Sequence, residues 1–140
     1  MSQTWILYPL FAMALLTLLV SVRMLRMRVR AVREGSLRLS YFRTNQGAEA
    51  PMPLTQTTQH FDNLFEMPVL FYVITIIIYV THSATPLLLV LAWAYVGLRL
   101  GHAYVHMTYN NVLHRLNVFL ASTLVMFAMW FIWVGEMVVS

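Results

Sequence analysis

Four stretches of the chain are long and predominantly apolar, and most of the charged residues gather between them. Residues 5–22 (WILYPLFAMALLTLLVSV) carry no charge, close to the ~20 residues that a helix needs to cross ~30 Å of hydrocarbon. Residues 64–80 contain VLFYVITIIIYV, so rich in β-branched side chains that a buried strand competes with a helix; length favours the helix. Residues 85–105 open with Pro86, whose missing N–H costs little at a helix start. Residues 117–135 are again uncharged, and Trp130 and Trp133 lie near their end, where aromatic rings favour a membrane–water boundary. The pattern predicts an all-α integral membrane four-helix bundle in a single domain, residues 1–140, without internal repeats.

Between the first two spans, residues 23–59 change character, with Gly35-Ser36, Gly47 and the Pro51/Pro53 pair marking a long extramembrane connection. Its proximal half, RMLRMRVRAVREG, interleaves Met, Leu and Val with arginine, which favours the first helix running on past the bilayer along the lipid headgroups. Seven of the nine arginines fall between Arg23 and Arg43, and Arg115 with His114 lies between spans three and four. By the positive-inside rule both connections are cytoplasmic and both termini lie on the opposite side. A secretory leader would carry its basic residues before the apolar stretch. Here Arg23, Arg26, Arg28 and Arg30 follow it, so the first span is expected to stay.

Composition agrees with the pattern: 60% of the residues are hydrophobic and 10% charged, against roughly 45–50% and ~25% in soluble domains. The net charge of +4 would in a soluble protein suggest nucleic acid. Concentrated beside a span, it points to anionic membrane lipids as partners and to no nucleic acid. With no cysteine, disulfides, thiol nucleophiles and Cys-based zinc sites are excluded.

Polar residues inside the apolar stretches carry the candidate chemistry. Gln59, Asn63 and Glu66 would share one face if a single helix held all three. Tyr95, Arg99, His102 and His106 recur at steps of four, three and four, one stripe along nearly three turns, which Tyr109 would extend. Arg99 at the centre of a lipid-facing helix would cost about 2.5–3.5 kcal/mol, so it is expected to face the protein interior, with Glu66 as its partner. That pair is either an ion pair holding two helices in register or part of a polar pocket for a charged small molecule. Arg115 begins the fourth span, with Ser122 seven residues on along the same face. The His102/His106 spacing is a weak metal signal without an adjacent catalytic carboxylate; interhelical hydrogen bonding is the expectation, and no metal site is assigned. Ser122 has no base near it in the pattern, so nucleophilic hydrolysis lacks parts.

Taken in order, Asn63-x-x-Glu66 followed by Pro68, then LAWAYVGLRLGHAYVH with Arg99 and His102, then Arg115 sixteen residues after Arg99, the chain resembles a divergent member of the MAPEG family, the membrane-associated proteins in eicosanoid and glutathione metabolism. The resemblance implies a homotrimer holding glutathione between subunits near the cytoplasmic side, as co-substrate for attack on a lipophilic small molecule in a transferase or peroxidase-like reaction. It implies glutathione contacts from Asn63, Glu66, Arg99, His102 and His106, and a catalytic Arg115 that stabilises the thiolate. Three positions depart from the family pattern: Gln59 replaces an arginine, His106 a tyrosine, and Phe119 an aromatic hydroxyl. They leave open a non-catalytic membrane protein of the same architecture, binding another ligand such as a lipid, with Glu66 and Arg99 structural. A transport or proton-relay role, suggested by the histidines, would need oligomerisation to enclose a pathway.

Overall fold

Five α-helices make up nearly all of the regular structure in the computed structural model, which describes residues 1–139. They are α1 (Leu7–Arg33), α2 (Met52–Asn63), α3 (Met67–Val80), α4 (Pro86–Met107) and α5 (Val112–Val139), with 3-10 turns at Gln3–Ile6 and Leu39–Arg43. Four stretches are long and apolar enough to cross a membrane: Gln3–Arg33, Met52–Val80, Pro86–Met107 and Val112–Val139. The four-helix membrane architecture therefore stands, and the β-branched run at 64–80 is helical. Its length allows more turns of internally satisfied backbone than an isolated strand could offer in an apolar medium.

As the interleaved arginine and apolar residues predict, α1 runs on past residue 22 as one helix to Arg33, 27 residues or about 40 Å at 1.5 Å per residue. It stops at Gly35, whose φ of +74° suits a residue without Cβ; the Gly35 and Leu37 N–H groups then donate to the Val32 and Ala31 carbonyls at 3.2 Å each. Pro51 and Pro53 open α2 instead of punctuating a loop, because proline is tolerated where the first-turn N–H groups have no helical partner. A small satellite core of Ala31, Leu37 and Leu54 clips the two helices together, with Met27 Sδ accepting from Thr57 Oγ1 at 3.4 Å. The irregular connection thus shrinks to 34–51.

Between α2 and α3 the helix breaks. Pro68 sits in the first turn of α3 and cannot donate to the carbonyl one turn back. Residues 64–66 instead close i→i+3 bonds, Phe65 N to Asp62 O at 3.0 Å and Glu66 N to Asn63 O at 3.3 Å, and Glu66 adopts φ −96°, ψ −103°. Thr85 caps α4, its Oγ1 accepting from Leu88 N at 3.3 Å, and Asn111 caps α5, its Oδ1 accepting from Leu113 N and His114 N at 3.0 and 3.1 Å. At the N-terminal end, Gln3 Oε1 accepts from Ala84 N at 2.8 Å and Trp133 Nε1 donates to Thr81 Oγ1 at 3.2 Å. These bonds tie the first turn and α5 to the α3–α4 connection.

The main core runs down the bundle axis through Met13, Leu16, Phe71, Ile74, Leu88 and Met126. The Phe71 and Tyr95 rings stack there with centroids 4.3 Å apart. Large apolar side chains such as Leu18, Val90, Leu124 and Phe131 point outward on α1, α4 and α5, the inverse of a soluble surface and the arrangement that acyl chains favour. The pairing of α4 with α5 is the most extensive contact, and it carries the polar stripe into the interior.

Candidate functional site

The stripe on α4 is buried throughout: Tyr95 and Arg99 are 0% exposed, His102 3% and His106 2%. Helical spacing sets them on one face; α2 and α5 pack against α4, and Phe71 of α3 stacks on Tyr95. Arg99 therefore faces the interior, as the cost of presenting it to lipid requires. Tyr109 does not extend the stripe. The helix stops at Met107, Asn110 turns the chain with φ +49°, and exposed Tyr109 pairs with His114 Nδ1 at 3.0 Å.

Arg99 finds Asn63 instead of Glu66. Its Nη2 donates to Asn63 Oδ1, and the ion pair expected with Glu66 is absent, Arg30–Glu34 at 2.7 Å being the one ion pair among the described residues. The physical reason is the break at 64–66, which takes Glu66 out of helical register with Asn63 and leaves it exposed, as Gln59 also is. The three residues consequently do not share a helical face. Glu66 is still close enough for its charge to act on Arg99.

A third histidine, His60 of α2, joins the two on α4. Its ring centroid lies 5.5 Å from that of His102 and 5.2 Å from that of His106, and those two stand 5.6 Å apart. His60 is fully buried and was not singled out by the sequence pattern. The available signal was its position three residues before Asn63, one turn along the same face. The three rings form one buried polar cluster between α2 and α4; among the described residues no group of three or more His, Asp or Glu side chains has a geometry that could hold a metal ion.

From α5, Phe119 closes the cluster, 6.0 Å from the Arg99 guanidinium carbon and 6.1 Å from the His102 ring. Arg115, one turn earlier and half-buried, is held by Asn110, whose Oδ1 accepts from Nη1 at 2.8 Å. Ser122 is buried but donates to its own helix, to Phe119 O at 2.8 Å, so its hydroxyl is satisfied locally. Arg115 and Arg99 both act electrostatically on His102 and His106.

Many polar atoms in this cluster have no partner within the chain: both His60 nitrogens, Tyr95 OH, Arg99 Nε and Nη1, His102 Nδ1, His106 Nδ1 and Arg115 Nε. Buried polar groups are nearly always bonded, and each one left without a partner costs about 1–3 kcal/mol. Two cations with free guanidinium N–H groups, beside unbonded histidine nitrogens and with Glu66 at the edge, make an arrangement suited to an anionic ligand rich in acceptors. No curated protein and no solved structure matches the chain. A family model does, over residues 6–135; with that match over nearly the whole sequence and four helices able to span a membrane, the chain belongs to the MAPEG family.

Proposed function

We propose that the protein binds glutathione and presents its thiol to lipophilic electrophiles in the membrane, as a transferase or peroxidase-like member of its family. The observation that carries this reading is the fully buried Arg99, with Nε and Nη1 free beside free nitrogens of His102, His106 and Arg115. Donors of this kind fit the two carboxylates of the tripeptide, and Glu66 suits its amino group. Family membership supports the same class of ligand.

In this scheme Asn63 and Arg99 orient the tripeptide, and His102 and His106 donate to its acceptors. Arg115, held by Asn110, stands beside the sulfur. A nearby cation favours the charged form of a thiol and raises the fraction of nucleophile at neutral pH. The glutathione thiol releases its proton to water, and the thiolate sulfur forms the new bond to the electrophile while the leaving group departs with its electron pair. Phe119, in place of a hydroxyl, keeps that region apolar and water-poor, which strengthens the electrostatic interactions within it.

A homotrimer belongs to the proposal. Exposed Glu66 at the head of α3 lies beside exposed Phe65; a carboxylate facing lipid is costly, and a neighbouring subunit over this edge would give it a partner. The arginine-rich connection is placed on the cytoplasmic side and the termini opposite.

The second reading, a non-catalytic protein of the same architecture that binds another ligand such as a lipid, is favoured by one bond. Asn63 already accepts from Arg99, pinning α2 to α4 without any ligand. Thermal unfolding in detergent across a glutathione titration separates the two. Binding to the folded form alone raises stability by about 2.7 kcal/mol at a hundred times Kd. A saturable rise that is lost in Glu66→Ala supports the first reading; no rise up to millimolar glutathione selects the second.

A further inference from the structure

One face of α1 stays exposed along its whole length. Leu15, Leu18, Val22, Leu25 and Val29, spaced three and four apart, are 42, 57, 38, 61 and 45% exposed. From Leu15 to Val29 this seam measures about 21 Å at 1.5 Å per residue, more than the ~15 Å of a single leaflet, half of the ~30 Å hydrocarbon core. At its arginine-rich end the seam enters a groove of about 340 Å³ between α1 and the 3-10 turn Leu39–Arg43, walled by Leu25, Val29, Leu39 and Phe42. Arg28 and Arg33 stand on its rim. Arg28 lies over the Phe42 ring, 5.4 Å from its centroid, with Nε buried and unbonded. Glu34 neutralises Arg30, but neither Arg28 nor Arg33 makes an ion pair or hydrogen bond among the described residues.

We propose that this seam and groove bind one anionic phospholipid, its acyl chain along Leu18–Val22–Leu25–Val29 and its phosphate between Arg28 and Arg33. Charge selects the occupant. Docking the seam against a second copy would bring together two α1 ends that each carry Arg23, Arg26, Arg28, Arg30 and Arg33, at a like-charge cost. A free phosphate would leave the apolar groove and seam unused. Guanidinium groups are the side chains best matched to phosphate oxygens, and basic residues at a membrane surface each strengthen anionic-lipid binding roughly five-fold. Two of them amount to about thirty-fold.

Native mass spectrometry of the full chain tests this, with phosphatidylglycerol and phosphatidylcholine of matched acyl chains and with glycerol 3-phosphate as soluble competitor. The expected result is one retained phosphatidylglycerol per chain, about thirty-fold weaker in Arg28→Gln/Arg33→Gln and weakened also in Leu25→Gln, which changes no charge. Glycerol 3-phosphate should not displace it. Equal retention of both lipids, unchanged binding in the double variant or in Leu25→Gln, or displacement by glycerol 3-phosphate would each overturn the proposal. Leu25 is exposed, so its variant reads the groove even if the arginine variant misfolds. Because the chain has no cysteine, Val29→Cys supplies a unique thiol; efficient chain-to-chain disulfide formation there would assign the seam to a second copy instead.

Discussion

Removing Asn63 tests what holds Arg99 inside the membrane. Arg99 is 0% exposed, and Asn63 Oδ1 is its one hydrogen-bond acceptor among the described residues. In Asn63→Ala the guanidinium keeps its charge and its burial but loses that acceptor. Hydrogen bonds to charged groups contribute about 1.5–3 kcal/mol, whereas neutral bonds between membrane helices average about 0.6 kcal/mol. For a chain of this size 1 kcal/mol corresponds to about 4 °C in Tm. The charged bond therefore predicts a drop of about 6–12 °C, and a neutral one about 2 °C. The assay is thermal unfolding in detergent without ligand, repeated in an Arg99→Met background where no charge needs an acceptor. There, Asn63→Ala should cost little. A drop of about 2 °C in the parent, or the same large drop in the Arg99→Met background, would refute the idea that Asn63 supports a buried charge.

Three further outcomes follow from the same contacts. Arg115→Ala should lower kcat for glutathione conjugation about 100-fold, the scale of losing one charge-stabilising donor, with helical content unchanged; unaltered kinetics would remove Arg115 from the chemistry. His60→Leu should raise the Tm of the ligand-free protein by several degrees, since both ring nitrogens are buried without partners and an apolar side chain removes that penalty of about 1–3 kcal/mol; a lower Tm would mean that a neighbouring subunit bonds the ring. Thr85→Ala removes the cap on α4 and should destabilise by about 1 kcal/mol, read by denaturant unfolding; no change would show that the 3.3 Å bond contributes nothing.

How far the sequence reaches depends on whether a feature is local. The helical spans follow from long uncharged runs, because hydrocarbon leaves no alternative partner for backbone N–H and C=O groups. The stripe from Tyr95 to His106 was legible for the same reason: spacing of three and four within one unbroken helix fixes a common face. Arg99 had to turn inward on energetic grounds alone. The extension of α1 to Arg33 was foreshadowed by alternating arginine and apolar residues, but its packing on α2 through Ala31 and Leu54 depends on a contact between distant segments.

Where a helix ends or breaks, the pattern misleads. Pro68 breaks the register that would have kept Gln59, Asn63 and Glu66 on one face, so the expected partner of Arg99 moved outward and Asn63 took its place. Asn110 stops the α4 stripe short of Tyr109 and also fixes Arg115, two effects of one left-handed turn. His60 entered the cluster because α2 lies against α4, a proximity that no spacing within either helix encodes. By itself the sequence determined the solvent in which this chain folds, the helices it forms and the charges it must bury, since these rest on hydrogen bonding and transfer energies summed along single segments. Only the tertiary structure decided which side chains meet those charges, because that depends on the relative placement of three helices and on a break of three residues between two of them.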